Sequence, residues 1–183
     1  MNISNNKRYI ETEARIHLAF EKLLSVKSFN EITVNNICNE AGISRPSFYA
    51  HYEDINDMMN QIELEKSLPI KQMLISADHL TVDSFESYFN YLQNNKSFYV
   101  AYLDISTNGN ITTDLMNTFI HTVNIAKSEH IHYMMIFLMA GLKSIAYNWL
   151  TDGCKTSSHT LAQIAFKQYQ SLLVLHPLIN WTF

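Results

Sequence analysis

The sequence has few of the residues that break regular structure or cross-link a chain. Its 183 residues include only 4 glycines and 3 prolines, which argues against an all-β protein, because such a protein needs many turns. The 2 cysteines, Cys38 and Cys154, lie far apart and suggest neither a disulfide framework nor a metal knuckle. With 47% of the residues apolar and available for a core, the composition favours a nearly all-α fold.

A long apolar segment is also missing. The longest one, residues 133–142, is followed by Lys143 and is about half the length that a helix needs to cross a bilayer. The first residues, MNISNNKRYIETEA, are polar and lack the apolar core of a signal peptide. We therefore expect a soluble cytoplasmic protein with no membrane partner.

The chain has no excess of positive charge, since its formal net charge is −4. The acidic excess is unevenly distributed. Residues 1–52 carry six basic and five acidic side chains, whereas residues 53–183 carry seven basic and twelve acidic ones. The first part could therefore contact DNA, with modest positive charge for that role, and the acidic remainder should not.

Residues 33–52, TVNNICNEAGISRPSFYAHY, have the pattern of two short helices joined by a tight turn. Thr33 can cap the first helix, Gly42 suits a left-handed residue at its end, and Ser44 can cap the second. Pro46 falls in the first turn of the second helix, where no internal hydrogen bond needs its missing N–H. This pattern predicts a helix-turn-helix, whose second helix fits the DNA major groove.

Further helices are predicted on both sides of this segment, for about nine in all. The first should run from about residue 7 to 26, because its apolar residues follow the spacing of one buried face. A helix from 54 to about 68, ended by Pro69, should connect a DNA-binding domain, residues 1–52, to a larger helical domain, residues 53–183. Later helices are predicted from Thr81, from Phe98, over 112–128, over 132–150 and from Ser157 or Ser158 to about Leu175.

The predicted helix over residues 132–150 is apolar on nearly every side and must be covered on every side. Its own domain can cover one face, so we expect a second copy of the chain to cover the other. The last helix could add an apolar stripe to the same surface. The candidate dimer interface comprises Leu138, Leu142, Leu161, Ile164, Gln168 and Leu172.

From Ile16 to Met58 the chain resembles the TetR family of bacterial transcription regulators, and a weaker likeness covers residues 149–154. Two positions depart from the family: Ser28 stands where glycine is common, and Ile55 stands where a lysine reaches a DNA phosphate. The second departure predicts weaker and more salt-sensitive operator binding than is usual. The resemblance rests on Ile16, Ala19, Phe20, Leu23, Leu24, Phe29, Thr33, Val34, Ile37, Ala41, Gly42, Ile43, Ser44, Phe48, Tyr49, His51, Tyr52, Asp57 and Met58.

The resemblance implies a homodimeric repressor that binds a pseudo-palindromic DNA operator and is released by a small hydrophobic effector. The effector would bind in the larger helical domain, which would also dimerise. Base contacts are implied for Arg45, Pro46 and Ser47, at the start of the second helix after its cap Ser44. Phosphate contacts are implied for Thr33, Tyr49 and His51, although Tyr49 could instead brace the module as a partly buried ring.

An effector pocket is expected among side chains that combine apolar walls with polar tips, although a filled aromatic core fits the same spacing. No catalytic motif and no metal-ligand spacing stands out, so no enzyme activity, cofactor or metal is expected. Two alternatives remain open: a family member that acts as a co-activator through a protein partner, and an enzyme or carrier. The candidate pocket residues are Tyr88, Phe89, Tyr99, Tyr102, Phe119, His121, Tyr133 and Phe137.

Overall fold

The computed structural model of the chain describes residues 7–76, 80–105 and 129–175. Over these ranges the chain forms eight α-helices, one short 3-10 helix and no strand, so the predicted all-α fold is confirmed. The helix predicted over 112–128, with the pocket candidates Phe119 and His121, lies outside the described residues. The helices are α1 (Lys7–Leu24), α2 (Val34–Ala41), α3 (Arg45–Tyr49), α4 (Ile55–Ser76), α5 (Val82–Asn94), α6 (Lys96–Ile105), α7 (Glu129–Thr151) and α8 (Ser158–Leu175).

The chain divides into two compact units, Met1–Lys66 and Ser67–Phe183. The core of the first unit is the apolar face of α1 packed against α2. From α1 it takes Ile16 and Phe20, both fully buried, because these residues recur at the spacing of one helix face. Ile37 of α2 is fully buried with them.

A 3-10 helix, Phe29–Glu31, leads from α1 into α2, and Ser28 caps it. The Glu31 carboxylate accepts hydrogen bonds from the Ser28 backbone N–H at 3.1 Å and from its hydroxyl at 2.7 Å. Ser28 has φ −69°, which any residue adopts, so the glycine common in the resembling family is not required at this position.

The fourth helix begins as predicted but ends later. The Asp57 backbone N–H donates to the Asp54 carboxylate at 2.8 Å, and Asp57 in turn accepts from the Glu53 N–H at 2.9 Å. The prediction that the helix ends before Pro69 is wrong, because α4 continues through this proline to Ser76. Pro69 is exposed while its neighbour Ile70 is buried, so apolar packing on the other side of the helix offsets the missing N–H.

In the second unit α5 packs along α8, while α6 packs on α7. The contacts between α5 and its neighbours are largely aromatic. The Phe85 ring lies 6.1 Å from Tyr169 of α8, and the Phe89 ring meets Trp149 of α7 edge to face at 5.7 Å. Phe89 is fully buried, so these rings form the centre of this unit.

The turn between α7 and α8 has two consecutive residues in the left-handed region, Gly153 at φ 84° and Cys154 at φ 57°. It is closed by a hydrogen bond from the Cys154 N–H to the Trp149 carbonyl at 2.9 Å. Ser157 then caps α8 by accepting from the Thr160 N–H at 3.1 Å, as predicted. Cys154 is half-buried, whereas the other cysteine, Cys38, is buried on α2.

Within the described ranges, no helix has the length and apolar character needed to span a membrane. The same part of the chain contains no group of three or more histidine, cysteine, aspartate or glutamate side chains that could hold a metal ion.

Candidate nucleic-acid interface

The predicted cap and turn residues build the connection from α2 to α3. Thr33 accepts a hydrogen bond from the Asn36 N–H at 3.2 Å, and the Asn36 side chain accepts from the Thr33 N–H at 3.1 Å. At the other end of α2, Gly42 has φ 62° and ψ 43°, and the Ile43 N–H donates to the Cys38 carbonyl at 2.9 Å. This arrangement ends the helix in the left-handed geometry that glycine adopts most readily.

Arg15 of α1 holds this end of α2 in place. Its guanidinium donates to the carbonyl oxygens of Ala41 and Gly42, the latter at 2.9 Å. A positive charge at the carboxyl end of a helix complements the helix dipole and satisfies carbonyls that have no partner within the helix. A methyl group at Gly42 would lie 2.9 Å from the Arg15 Nη2 atom, so the arginine also needs a glycine here.

The first turn of α3 is fixed by Ser44, which accepts from the Ser47 N–H at 3.3 Å. The hydroxyls of Ser44 and Ser47 also lie 2.8 Å apart. Pro46 occupies the first turn of the helix, as predicted. Phe48 is fully buried and anchors α3 to the unit, which turns Arg45 and Pro46 toward solvent.

The outer face of α3 carries an Arg–Tyr pair one helical turn apart. The Arg45 Nη2 atom donates to the Tyr49 hydroxyl at 3.3 Å, and the guanidinium carbon lies 5.9 Å from the centre of the Tyr49 ring. Arg45 is exposed and Tyr49 is 49% exposed, so both side chains can reach a bound molecule. Arg45 is also the only lysine or arginine between Thr33 and Tyr52.

His51, predicted to contact phosphate, is stacked on Tyr9 of α1 with ring centres 3.9 Å apart. Its Nδ1 atom is buried and has no hydrogen-bond partner among the described residues. Burial lowers the pKa of His51, and the nearby Glu13 carboxylate opposes this effect only in part. The ring is therefore uncharged near neutral pH in the chain without DNA.

Tyr52 joins the end of the helix-turn-helix to α1. It is buried, and its hydroxyl lies 2.7 Å from His17 Nε2 and 3.5 Å from the Glu13 carboxylate. Burial, with the Glu13 charge, raises the pKa of Tyr52, and burial lowers the pKa of His17. Tyr52 and His17 are therefore both uncharged near neutral pH, and the hydrogen bond between them braces the module.

Two contacts connect α4 to α1 within the first unit. His17 Nδ1 lies 3.8 Å from the Glu65 carboxylate, and Lys66 Nζ lies 2.7 Å from Glu21. These pairs and the Tyr9–His51 stack were not predicted from the sequence. Their members are separated by about 40 residues or more in the sequence, and no motif spacing relates them.

The pocket candidates that the structure describes in the second unit differ in burial. Phe89 is buried beside the half-buried Tyr88, and Tyr99 and Tyr102 are buried on α6. Tyr133 and Phe137 of α7, by contrast, are 62% and 73% exposed and point away from the interior of this unit.

The residues predicted for the dimer interface also differ in burial. Leu138, Leu142 and Leu161 are buried within the second unit, because they lie on the inward faces of α7 and α8. Ile164 and Gln168 are exposed on α8, and the side chain of Leu172 lies outside the described residues. The exposed face of α7 includes five neighbouring residues, none of which was predicted for the dimer interface: Tyr133, Ile136, Phe137, Ala140 and Gly141.

Two family comparisons cover most of the chain. Residues 19–62 match a family described as bacterial regulatory proteins, tetR family. Residues 81–170 match a family described as the C-terminal region of a transcriptional regulator. The first match contains α2, α3 and the turn between them, and the second contains α5 to α7 and most of α8.

An uncharacterized HTH-type transcriptional regulator from Haemophilus influenzae is 31% identical over 64 residues. This stretch is 35% of the present chain and spans only 31% of that relative's length.

Solved structures extend the similarity to nearly the whole chain. The dihydroxyacetone kinase operon activator DhaS aligns over 90% of this chain and 97% of its own, with TM-score 0.61 and 18% identity. NalD, the secondary repressor of the MexAB-OprM multidrug efflux pump in Pseudomonas aeruginosa, aligns over 90% and 97%, with TM-score 0.65 and 15% identity. At these identities the two structures show that the fold is shared.

Proposed function

The chain belongs to the TetR family of bacterial transcription regulators, and we propose that it acts as a homodimeric repressor released from DNA by a small-molecule effector. The observation that carries the proposal is the exposed Arg45–Tyr49 pair on α3. Capping residues fix the start of α2 and of α3 and the turn between these helices. An arginine guanidinium on a helix held in a fixed orientation can donate two parallel hydrogen bonds to a base in the major groove.

In this proposal residues 1–52 form the DNA-binding domain and residues 53–183 the effector-binding and dimerisation domain, in the cytoplasm. Arg45 would donate to a guanine edge, and Pro46 would make apolar contact, for example with a thymine methyl. The exposed Thr33 side chain at the start of α2 would contact a phosphate. The hydroxyls of Ser44 and Ser47 bond to each other, which uses one of their two O–H groups, so the other O–H could donate to DNA.

A single module with one exposed arginine at the groove offers few charge contacts, and Ile55 supplies none where the family commonly has lysine. Two copies would therefore be needed for useful affinity. We propose that they meet through the exposed face of α7, with Phe137 near its centre, and through Ile164 of α8. An aromatic side chain that is 73% exposed in the single chain would be covered in such a dimer.

The effector would act on the dimer by favouring one separation of the two modules over another. The link is α4, which carries Glu65 and Lys66 against α1 and continues beyond the first unit. Movement of α4 would pull on α1 and hence, through His17 and Tyr52, on the end of the helix-turn-helix. Repressor action would require that the effector bind the separation that does not fit the operator.

Selection of double-stranded DNA from a random pool by the purified full chain tests the proposal. We expect enrichment of a pseudo-palindrome whose half-site centres lie about 34–36 Å, or one helical turn, apart. An enriched sequence with a single half-site would contradict paired binding, and no enrichment at all would contradict operator recognition. Screening small hydrophobic compounds by thermal shift then tests the effector, which should stabilise the chain and weaken operator binding.

The dimer face is tested by Phe137→Asp, with Val26→Asp as a matched control. Both residues are apolar and similarly exposed, at 73% and 74%, but Val26 lies in the first unit. Light scattering should show a dimer for the wild type and the Val26 variant and a monomer for the Phe137 variant. A dimer that survives Phe137→Asp would place the interface elsewhere.

One alternative also fits the exposed face of α7: a regulator that binds a protein partner there and acts as a co-activator without a small molecule. The name of DhaS shows that an activator can have this fold. If the purified chain stays monomeric and no small molecule changes its operator binding, the co-activator alternative is favoured.

A further inference from the structure

We propose that Tyr49 is a positioning residue that sets base preference by holding the Arg45 guanidinium, and not principally a phosphate contact. The proposal rests on the DNA-binding function proposed above and concerns the same face of α3. It assigns the choice of base to a pair of side chains, of which only one touches the base.

The pair is set by helix geometry. Arg45 and Tyr49 stand four residues apart, so their side chains lie on the same side of α3. The Nη2 atom donates to the Tyr49 hydroxyl at 3.3 Å, and the guanidinium carbon lies 5.9 Å from the ring centre. The tyrosine therefore offers the arginine a hydrogen-bond acceptor and the negative face of an aromatic ring together.

The Tyr49 ring is itself held by a contact with the neighbouring Phe48 ring. It meets the Phe48 ring edge to face, with centres 5.6 Å apart and an interplanar angle of 89°. Phe48 is fully buried in the core of the first unit, whereas Tyr49 is about half exposed. The exposed Tyr49 ring thus packs against a residue that is fixed in the core. Its contact with Arg45 can in turn restrict the rotamers of the arginine side chain.

Arg45 has no competing carboxylate. Among the described residues no ion pair involves it, so none of these residues neutralises its charge. The bond to Tyr49 uses one N–H of the guanidinium and leaves others for a base. A long arginine side chain loses much rotational freedom when it docks on guanine, and prior ordering by Tyr49 reduces that loss.

Loss of a phosphate contact and loss of a positioning contact should change the affinity for operator and for random DNA in different ways. Loss of a phosphate contact weakens binding to every DNA sequence to about the same extent and lowers the dependence on salt. Loss of a positioning contact weakens binding to the preferred operator and leaves random DNA nearly unchanged, because only the base contact depends on it.

The test compares Tyr49→Leu, Tyr49→Phe, Arg45→Ala and the double variant Tyr49→Leu/Arg45→Ala on the operator selected by the wild-type chain. Arg45→Ala identifies the half-site position that Arg45 reads. We expect Tyr49→Leu to reduce the preference at that same position by about 3- to 10-fold, with less than about 2-fold change on random DNA. In the Arg45→Ala background the Tyr49→Leu change should have little further effect. Tyr49→Phe, which keeps the ring and loses the acceptor, should lie between wild type and Tyr49→Leu.

A second measurement needs no DNA. Nuclear magnetic resonance relaxation of the Arg45 Nε–H group should report an ordered side chain in the wild type and a mobile one in Tyr49→Leu. Tyr49→Phe, which preserves the ring over Phe48, serves as the variant with the smallest effect on folding.

Three results would overturn the inference. One is equal loss on operator and random DNA in Tyr49→Leu, and another is additive effects of Tyr49→Leu and Arg45→Ala. The third is equal Arg45 mobility with and without the tyrosine ring, a result that is independent of DNA. Failure of the wild-type chain to select any DNA would instead refute the proposed function, and the relaxation measurement would still decide whether Tyr49 orders Arg45.

Discussion

Both units have an apolar core, but the described contacts that join their helices differ: hydrogen bonds and ring contacts join those of the first unit, and mainly aromatic rings join those of the second. In the first, Arg15 holds the end of α2 and Tyr52 bonds to His17. In the second, Phe89 packs against Trp149, and further rings line the contact between α5 and α8. Hydrogen bonds fix direction and distance, whereas aromatic packing tolerates more adjustment. The unit proposed to present α3 to DNA therefore has more directional contacts between its helices, and the unit proposed to bind an effector has more adaptable ones.

The largest loss of stability is expected when one fully buried ring in each unit is replaced, by Phe48→Ala in the first and Phe89→Ala in the second. Each change should cost about 3–5 kcal/mol, because it removes a large side chain from a packed core. Hydrogen exchange should show lost protection in α1–α3 for the first variant and in α5 and α8 for the second. Loss of protection throughout the chain in both variants would mean that the units do not unfold separately.

The second test compares two glycines in the left-handed region, Gly42 at φ 62° and Gly153 at φ 84°. Each alanine substitution should cost about 1–2 kcal/mol for the backbone conformation alone. Gly42→Ala should cost more, because the new methyl displaces Arg15 from the carbonyls that it holds. At Gly153 no described residue other than its chain neighbours has an atom within 4 Å of the new methyl. Urea denaturation measures both.

The Arg15→Ala background provides the control for this pair. There the cost of Gly42→Ala should fall to about that of Gly153→Ala, since the displaced side chain is gone. An unchanged cost of Gly42→Ala would show that Arg15 does not account for the difference.

A smaller effect is expected from removing one cation in each unit. Arg15→Ala should destabilise the first unit by about 1 kcal/mol, because it leaves helix-end carbonyls without their donor. Lys155→Ala in the second unit removes an exposed ion pair with Asp152 and should change stability by less than about 0.5 kcal/mol. Equal effects on the urea midpoint would contradict the distinction between the two units.

The smallest effect is a pH dependence of stability that is expected in the first unit. Burial lowers the pKa of His17 and His51 in the folded chain, so the neutral rings are favoured there. Their contribution to stability is fully present above the unfolded pKa of about 6.5 and is lost as the pH falls below it toward the folded values. Hydrogen exchange of α1 and α3 at pH 7.5 and 5.5 should show this loss. His17→Gln should reduce the difference, and a greater stability at pH 5.5 would reverse the assignment.

The features predicted correctly from the sequence are those decided within a few residues. Thr33, Gly42 and Ser44 each act on backbone groups two to five positions away, so the residue type alone indicates the geometry. The buried Phe48 also follows, because it falls between polar neighbours on a short helix. The caps Thr81 and Ser157 were found in the second unit for the same reason.

The features that were missed depend on contacts between distant parts of the chain. Residue spacing relates neither Tyr9 to His51 nor Glu65 to His17. Pro69 misled the prediction of the end of α4, because its solvent position and the buried neighbour Ile70 outweigh the helix-breaking tendency of proline. On α7 an apolar run left open which side faces inward, so the exposure of Tyr133 and Phe137 could not be foreseen.

The unequal surroundings of the two cysteines give the chain a built-in position for a chemical reporter. Burial raises the pKa of the Cys38 thiol and keeps it protonated, while Cys154 is half-buried at the turn between α7 and α8. A thiol-reactive spin label should therefore attach first at Cys154, without any substitution in the sequence. In a dimer of identical chains two such labels would report one distance by pulsed electron resonance, before and after a candidate effector is added.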